Sequence, residues 1–339
     1  MNFFAEKINN WDDWGRLIRS ASAFTPLIRH IFEKENLPLF ERGSASSPAA
    51  PGGVNPPYPS FGKRRSRLID VETLPPGTNA VFKVGEYVIK IFIPPEFSEG
   101  DVFGTNIDVE IFGMKLVYTQ NVPAPMLIAD GAVQDKYHFR YMIMGYIHGK
   151  SLAEIEDSLT DSDKFTIGQN MRKITDKLNI PCENFTSTDV MQYTKNNVGW
   201  KADGFPPSFL EERLAYLADF KINESAKVYC HGDLHCDNIL IDDNLNVYIL
   251  DFADAMHAPA EYELVYIVSS LFCFEGPYMQ GYFGEYTTDD IVDLCMTWLP
   301  VHAHGQAVTE GNLKPVSDII SFDVMRERLR NLIEGSRNK

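Results

Sequence analysis

The chain has 339 residues, of which 44% are hydrophobic and 12% aromatic, and this composition excludes a wholly disordered protein. Its formal net charge of −16 argues against a nucleic-acid partner, because phosphate backbones are bound by basic surfaces. The chain opens without a signal-peptide pattern and its longest apolar run is far shorter than a membrane span, so we expect a cytoplasmic protein with no membrane partner.

Two segments of different character precede the first predicted strand. Residues 1–42 carry apolar side chains such as Trp14, Leu17 and Ile18 at helical spacing, which predicts an N-terminal helical segment. Residues 43–69 are rich in Pro, Gly and Ser and end in a basic cluster. We interpret them as a linker with a solvated basic flank, and not as a nucleic-acid-binding patch.

Residues 70–147 predict a β-rich, nucleotide-binding lobe, because strand-favouring residues alternate with glycine turns in VETLPPGTNAVFKVGEYVIKIFI. Lys90 lies in the third strand among apolar neighbours and needs an anionic partner to be functional. Glu110 is the candidate, since NIDVEIFGMKLVYTQ places it in the apolar stripe of a helix, where an unpaired carboxylate would be costly. A strand lysine paired with a helix glutamate is the device that holds ATP phosphates in protein kinases.

The turn PPGTNAV between the first two of these strands is a candidate phosphate loop. Gly77, Thr78 and Asn79 would present backbone amides and small polar groups to a phosphate there. One glycine is a weak signal by itself, because most such turns are only turns. The loop gains meaning from its place just before the strand of Lys90.

The stretch VYCHGDLHCDNILIDDNLNVYILDFADA, residues 228–255, concentrates the polar chemistry of the chain. Asp233 and Asn238 are five positions apart, and Asn238 and Asp251 are thirteen apart with a predicted hairpin between them. These are the spacings of a kinase catalytic loop and its metal-binding aspartate. Asp233 would orient the attacking hydroxyl and accept its proton, while Asn238 and Asp251 would hold Mg²⁺ through hard oxygen ligands.

Zinc is the minor alternative for the same stretch. Its candidate ligands are Cys230, His231, His235, Cys236 and Asp237. Their sulfur and imidazole groups all fall within seven residues, with no second cluster at finger-like spacing, which disfavours a zinc site. The five cysteines are an odd number without framework spacing, so we expect reduced thiols.

At these residues the chain resembles the aminoglycoside phosphotransferase and choline kinase group of kinase-like enzymes. The motifs HGDLHCDN, ILDFADA, GTNAVFKV and VIKIF occur in the proper order with the Glu110 helix, over roughly residues 70–275. DFADAMHAPAEYELVYI is most similar to the branch that contains hygromycin phosphotransferases. The resemblance implies an α+β, two-lobed protein-kinase-like fold, with a β-rich N-lobe and a helical C-lobe over residues 148–339.

The resemblance also assigns roles to residues outside the catalytic motif. It implies that the Gly145 carbonyl and the Ile147 amide bind adenine, that Met142 or Met144 lines the adenine pocket, and that His231 supports the loop structurally. A histidine and a glycine precede Asp233 where protein kinases have an arginine, and no A-P-E motif follows. Both departures favour a small-molecule kinase over a protein kinase.

The charge distribution bears on the acceptor. From residue 228 to residue 313 there are 14 acidic residues and no Lys or Arg, although protein surfaces normally mix both signs. A site built from this half should therefore attract a cation. In the resembling family, acids of the helical lobe hold the acceptor, and the candidates here are Asp254, Glu261, Glu263 and Glu275.

The sequence thus predicts an ATP- and Mg²⁺-dependent O-phosphotransferase acting on a hydroxyl of a cationic small molecule, with an aminoglycoside-type antibiotic as the first substrate candidate. Choline, an amino sugar or another metabolite stays open within this class, as does GTP in place of ATP. A catalytically silent nucleotide-binding scaffold is the alternative from another class. The oligomeric state is not readable from the sequence.

Overall fold

The computed structural model describes residues 3–38, 70–97, 107–183, 185–186, 190, 200 and 204–337. The linker and basic flank predicted at 43–69 lie outside these residues. Contacts divide the chain into two units. The first combines the residues up to 105 with Leu127–Tyr146, and the second combines Asn106–Met126 with the residues from Ile147 onward.

A five-stranded antiparallel sheet forms the centre of the first unit. Its strands are β1 (Val71–Thr73), β2 (Ala80–Val84), β3 (Tyr87–Ile91), β4 (Leu127–Gln134) and β5 (His138–Gly145), in the order β1-β2-β3-β5-β4. β2 and β3 form a hairpin in which Val84 lies opposite Tyr87. Gly85 in its two-residue turn has a φ of +62°, which glycine adopts at little cost. The predicted strands and the predicted turn are confirmed.

Two helices cover one face of this sheet. They are α1 (Trp11–Leu17) and α2 (Ala21–Lys34), in agreement with the predicted helical segment. Phe24 and Ile31 of α2 share one buried cluster with Phe82 and Ile89 of the sheet. Because side chains alternate along a strand, Lys90 lies on the opposite face, away from these helices.

The second unit contains most of the helices. They are α3 (Ile107–Thr119), α4 (Leu152–Ile155), α5 (Asp161–Leu178), α6 (Pro207–Asp219), α7 (Ala260–Tyr266), α8 (Gly276–Phe283), α9 (Thr288–Trp298), α10 (Gly305–Asn312) and α11 (Phe322–Arg337). A π-helical turn, Ile267–Leu271, continues α7. Thr160 and Thr287 each begin a helix with a reciprocal capping box. No helix in the described ranges is both long enough and apolar enough to cross a membrane.

Two small antiparallel sheets in the second unit position the polar loops. One pairs β7 (Lys227–Cys230) with β10 (Met256–Pro259), and the other has the order β6-β8-β9, with β6 at Lys150–Ser151, β8 at Ile239–Ile241 and β9 at Val247–Ile249. β8 and β9 form the predicted hairpin, and its turn contains Asp243 and Asn244. The loop after β7 and the loop after β9 therefore carry the residues of the predicted catalytic motif.

Candidate functional site

The backbone of the loop after β7 is held by a buried carboxylate on α7. Glu263 Oε1 accepts hydrogen bonds from the backbone N–H groups of His231 at 2.6 Å and of Gly232 at 3.1 Å. Its other oxygen accepts a bond from Asn179 Nδ2 at 2.6 Å. Burial raises the pKa of Glu263 to about 7, while the three N–H donors act in the opposite direction.

Gly232 allows the loop to turn tightly. Its φ is +85°, and a Cβ at this position would lie 2.3 Å from the backbone oxygen of Asp254. No other residue type fits there without displacing that backbone. The glycine of the HGD motif is therefore required by the close approach of two loops.

His231 links this loop to the end of β9. Its Nδ1 accepts a hydrogen bond from the backbone N–H of Asp233 at 3.3 Å, so its Nε2 carries the proton and donates to the Leu250 carbonyl at 2.8 Å. Burial lowers the pKa of His231, which favours the neutral imidazole that these two bonds require. The expectation that His231 supports the loop is confirmed.

Hydrogen bonds of Asn238 bring together the three residues of the predicted motif, Asp233, Asn238 and Asp251. Asn238 Nδ2 donates to the backbone oxygen of Asp233 at 2.9 Å and to its carboxylate at 3.1 Å. The Asn238 carbonyl accepts a bond from Leu250 N at 2.9 Å, which places Asp251 directly after a residue bonded to Asn238. With the Asn238 nitrogen bonded to Asp233, the Asn238 Oδ1 atom and the Asp251 carboxylate are the candidate metal-binding oxygens, and this role stays a prediction. This oxygen pair fits Mg²⁺.

Three further side chains surround the Asp233 carboxylate, one from the same loop and two from positions distant in sequence. Tyr266 donates to Oδ1 at 3.3 Å, His304 Nε2 lies 3.8 Å from Oδ1, and His235 Nε2 lies 3.3 Å from Oδ2. Burial by itself would raise the pKa of Asp233, but the bond from His235 and the nearby histidine charges outweigh it and lower the pKa to about 2. Asp233 is therefore ionised at neutral pH.

Sequence reasoning missed these contacts. The sequence offered His235 as a candidate zinc ligand, whereas its ring contacts the Asp233 carboxylate. Tyr266 and His304 lie 33 and 71 positions from Asp233, and nothing in the local pattern distinguishes them from core residues. Stacking explains their placement, because the His302 ring packs on Tyr266 with centroids 4.8 Å apart and His304 follows two residues later.

The candidate zinc ligands divide into two groups. Possible ligand atoms of His235, Cys236 and Asp237 lie within 4.8 Å of one another. Cys230 and His231 have other partners, since the Cys230 thiol lies 3.5 Å from the Ala258 carbonyl and His231 bonds the loop backbone. The five-ligand cage considered from the sequence is therefore wrong, because its members do not share one centre.

The candidate nucleotide-binding residues of the first unit lie on one face and one edge of its sheet. Lys90 is buried and stands directly opposite Met142, which puts both side chains on the face that α1 and α2 leave uncovered. Met144 follows on the same face, two residues along the strand. A Cβ added at Gly145 or at Gly77 would meet no atom within 4 Å, so both glycines border open space.

Two hydrogen bonds hold the predicted phosphate loop in place. Gly77 is exposed, whereas Asn79 is 2% exposed and its Oδ1 accepts a hydrogen bond from Ile93 N at 3.2 Å. The Asn79 side chain thus holds the loop to the residues just after β3, and phosphate binding by Gly77, Thr78 and Asn79 stays a prediction. The Thr78 carbonyl accepts a 2.8 Å bond from Trp14 Nε1, so α1 also holds the loop.

Glu110 and Ile147 belong to the second unit. Glu110 is 2% exposed on α3, in the apolar stripe that the sequence predicted. Ile147 follows the last sheet residues and is half-buried. The pairing of Glu110 with Lys90 joins residues of different units and stays a prediction.

The four candidate acceptor-binding acids have different surroundings. Glu263 is buried and holds the loop backbone, so we reassign it from acceptor binding to loop positioning. Glu275 forms an ion pair with Lys164. Glu261 is exposed on α7 and Asp254 is half-buried beside Gly232.

Three solved structures illustrate the fold. The GDP and kanamycin complex of APH(2")-IIia is 18% identical with a TM-score of 0.51, over 80% of this chain and 95% of that chain. The GDP complex of wild-type aminoglycoside 2'-phosphotransferase-IIIa is 17% identical with a TM-score of 0.50, over 77% and 92%. A choline/ethanolamine kinase family protein from Mesorhizobium loti is 17% identical with a TM-score of 0.47, over 79% and 92%.

At such identities a structural likeness shows the fold alone. The first two likenesses, together with the β-sheet unit and the helical unit, confirm the predicted α+β kinase-like fold with a β-rich N-terminal lobe and a helical C-terminal lobe. No curated protein matches the sequence. The sequence model of the phosphotransferase enzyme family matches residues 113–293, more than half of the chain, and this range contains the Asp233 loop and Asp251. The chain belongs to the phosphotransferase enzyme family, as its motifs predicted.

Proposed function

We propose that the protein transfers the γ-phosphate of ATP to a hydroxyl group of a small molecule bound beside Asp233. The observation that carries this proposal is the convergence of Asp233, Asn238 and Asp251 in one place, through the bonds of Asn238 to Asp233 and of Leu250 to Asn238. The family supplies phosphoryl transfer, and these residues supply the groups that such a transfer requires.

Asp233 is suited to orienting the acceptor. Its carboxylate is ionised at neutral pH and can accept a hydrogen bond from an incoming hydroxyl, which fixes the direction of attack. A pKa of about 2 makes it a weak base, so its main contribution is orientation, with proton acceptance late in the transfer. Tyr266 and Asn238 hold its two oxygens, which limits the rotation of the side chain.

Asn238 Oδ1 and the Asp251 carboxylate would hold Mg²⁺. The metal held by these two residues would supply positive charge that offsets the charge developing on the phosphates. Asp251 has a φ of +58°, which is uncommon for a residue other than glycine. Such a conformation at this position supports a functional reason for the placement of its carboxylate.

The sheet face of the first unit would bind the nucleotide. Lys90 would contact the phosphates, Gly77 and Thr78 would offer backbone N–H groups, and Gly145 with Met144 would border the adenine. The open space beside Gly77 and Gly145 supports this assignment, because a ligand must approach the backbone closely at both positions. Residues 70–147 would thus act as the nucleotide-binding lobe, and residues 148–339 as the catalytic and acceptor-binding lobe.

The acceptor is proposed to be cationic overall, with aminoglycoside-type antibiotics as first candidates. Fourteen acids and no cation between residues 228 and 313 support this, since such a surface attracts positive ligands. Exposed Glu261 and half-buried Asp254 are the predicted acids best placed to contribute. Choline-type amino alcohols and amino sugars belong in the same panel.

The test is ADP release from MgATP by the purified protein, across aminoglycosides, amino alcohols and sugars. Asp233→Asn should lower kcat by about 10²–10⁴-fold, because orientation and proton acceptance are lost. Nucleotide affinity should stay near that of the wild type, since Asp233 acts on the hydroxyl. A silent scaffold would bind MgATP without acceptor-dependent ADP release, and near-normal turnover by the variant would remove Asp233 from the mechanism.

A further inference from the structure

A pocket of about 260 Å³ lies in the second unit, and two of its lining residues contact the Asp233 carboxylate. Tyr266 and the π-helical turn after it line one side, and His304 and α10 line the other. Tyr266 and His304 are also the side chains that contact Asp233 Oδ1. A hydroxyl group bound against these two side chains would therefore lie close to the residue that would orient it.

The lining of this pocket is uncharged. Of the described residues that line it, none is Asp, Glu, Lys or Arg, and the polar groups are hydroxyls, an amide, a thiol and one imidazole. Burial lowers the pKa of His304, so its ring is neutral at neutral pH. Asn312 spends its amide hydrogens on the carbonyls of Ser269 and Val308, and Ser269 donates to the Val265 carbonyl.

The Asp233 carboxylate, which contacts the Tyr266 and His304 side chains of the pocket, already has partners of its own. It accepts bonds from Tyr266 and Asn238 and lies 3.3 Å from His235 Nε2. An ammonium group in the pocket would lose water and gain no carboxylate of its own, which is unfavourable. A hydroxylated neutral ring carries no charge to desolvate, can donate a hydrogen bond to the Asn312 side-chain oxygen, and packs on the apolar part of the lining.

We propose that this pocket binds an uncharged, single-ring polyol portion of the acceptor, and that this portion carries the hydroxyl that is phosphorylated. The volume agrees, since it is below the roughly 300–1,000 Å³ of pockets that hold drug-sized ligands. Any cationic groups of the acceptor then bind outside the pocket, at the acidic surface. This inference rests on the proposed phosphotransfer function and narrows its substrate class.

Gly311 offers a way to fill the pocket without disturbing the fold. It lines the pocket, and a Cβ at this position would meet no atom within 4 Å. Gly311→Leu should raise the acceptor KM at least about tenfold and leave the Kd of MgATP within about twofold. Gly335→Leu is the matched control, because Gly335 is an exposed helical glycine with equally open surroundings outside the pocket.

The decisive comparison uses two ring compounds of similar size, neutral myo-inositol and 2-deoxystreptamine, which carries two ammonium groups. Saturation-transfer NMR on the wild type should show that myo-inositol binds at least about tenfold more tightly than 2-deoxystreptamine. The binding of myo-inositol should be lost in Gly311→Leu and kept in Gly335→Leu. Ala307→Asp, but not Ala307→Asn, should shift this preference about fivefold toward the diamine, because it places a carboxylate at the pocket rim.

The outcomes separate this inference from the function on which it rests. Equal or tighter binding of the diamine, or an acceptor KM indifferent to Gly311→Leu, overturns the neutral pocket and leaves the phosphotransferase intact. Absence of ADP release with every acceptor in the wider panel overturns the proposed function. Preferential binding of myo-inositol that depends on Gly311, together with acceptor-dependent ADP release, supports both.

Discussion

Replacing Trp14 with Phe tests whether the N-terminal helix positions the nucleotide loop. Trp14 is buried between α2 and the sheet, with its ring 5.9 Å from Phe24, and its Nε1 is bonded to the Thr78 carbonyl. Phenylalanine keeps an aromatic ring in this place and removes the donor. The Thr78 carbonyl then loses its hydrogen-bond donor, next to exposed Gly77 in the predicted phosphate loop.

The size of the effect follows from one hydrogen bond and a modest cavity. A neutral bond contributes about 0.5–1.5 kcal/mol, and an acceptor left without a partner costs about 1–3 kcal/mol when it is buried. Thr78 is half-buried, so we expect about 1–1.5 kcal/mol for the loop conformation. If MgATP binds only the braced loop, its Kd should rise about five- to tenfold, since 1.4 kcal/mol corresponds to a factor of ten.

Isothermal titration calorimetry of MgATP measures this change directly. Trp11→Phe is the matched control, because Trp11 lies on the same helix and is 40% exposed. The acceptor KM should stay unchanged in both variants. An unaltered Kd for MgATP in Trp14→Phe, in a protein whose melting temperature has fallen, would show that the loop does not depend on α1 or does not bind the nucleotide.

Three further outcomes are expected. Lys90→Ala and Asp251→Ala should each weaken MgATP binding in calorimetry, and EDTA should do the same, because they remove contacts to the phosphates or their metal. In the folded protein the pKa of Glu263 is about 7, above its usual 4.5, so Glu263 binds its proton more tightly there than in the unfolded chain. The free energy of unfolding of the wild type should therefore fall by about 3 kcal/mol as the pH rises from below 4.5 to above 7. Urea unfolding of Glu263→Gln should not show this dependence on pH. The acceptor KM should rise with ionic strength, and further in Glu261→Lys, since a Debye length of about 10 Å at 0.1 M screens an acidic surface; a KM indifferent to both contradicts a cationic acceptor.

Local patterns were sufficient for the elements and for the motif. Alternation around Lys90 predicted its strand, and three- and four-residue spacing predicted the helix of Glu110. The short spacings from Asp233 through Asn238 to Asp251 predicted that these residues converge, because a loop and a hairpin leave the chain little freedom over so few positions. The family follows from the same residues.

Contacts between distant positions were decided only by the tertiary structure. Asn79 and Glu263 are polar residues next to functional motifs, so the sequence favoured ligand binding for both, yet their side chains satisfy buried backbone groups. Tyr266 and His304 reach Asp233 from 33 and 71 positions away, and Trp14 reaches Thr78 from 64. No periodicity encodes such contacts, because they depend on how packed elements place their loops. Burial also determines which acids are available to a ligand, and burial is a property of the folded chain.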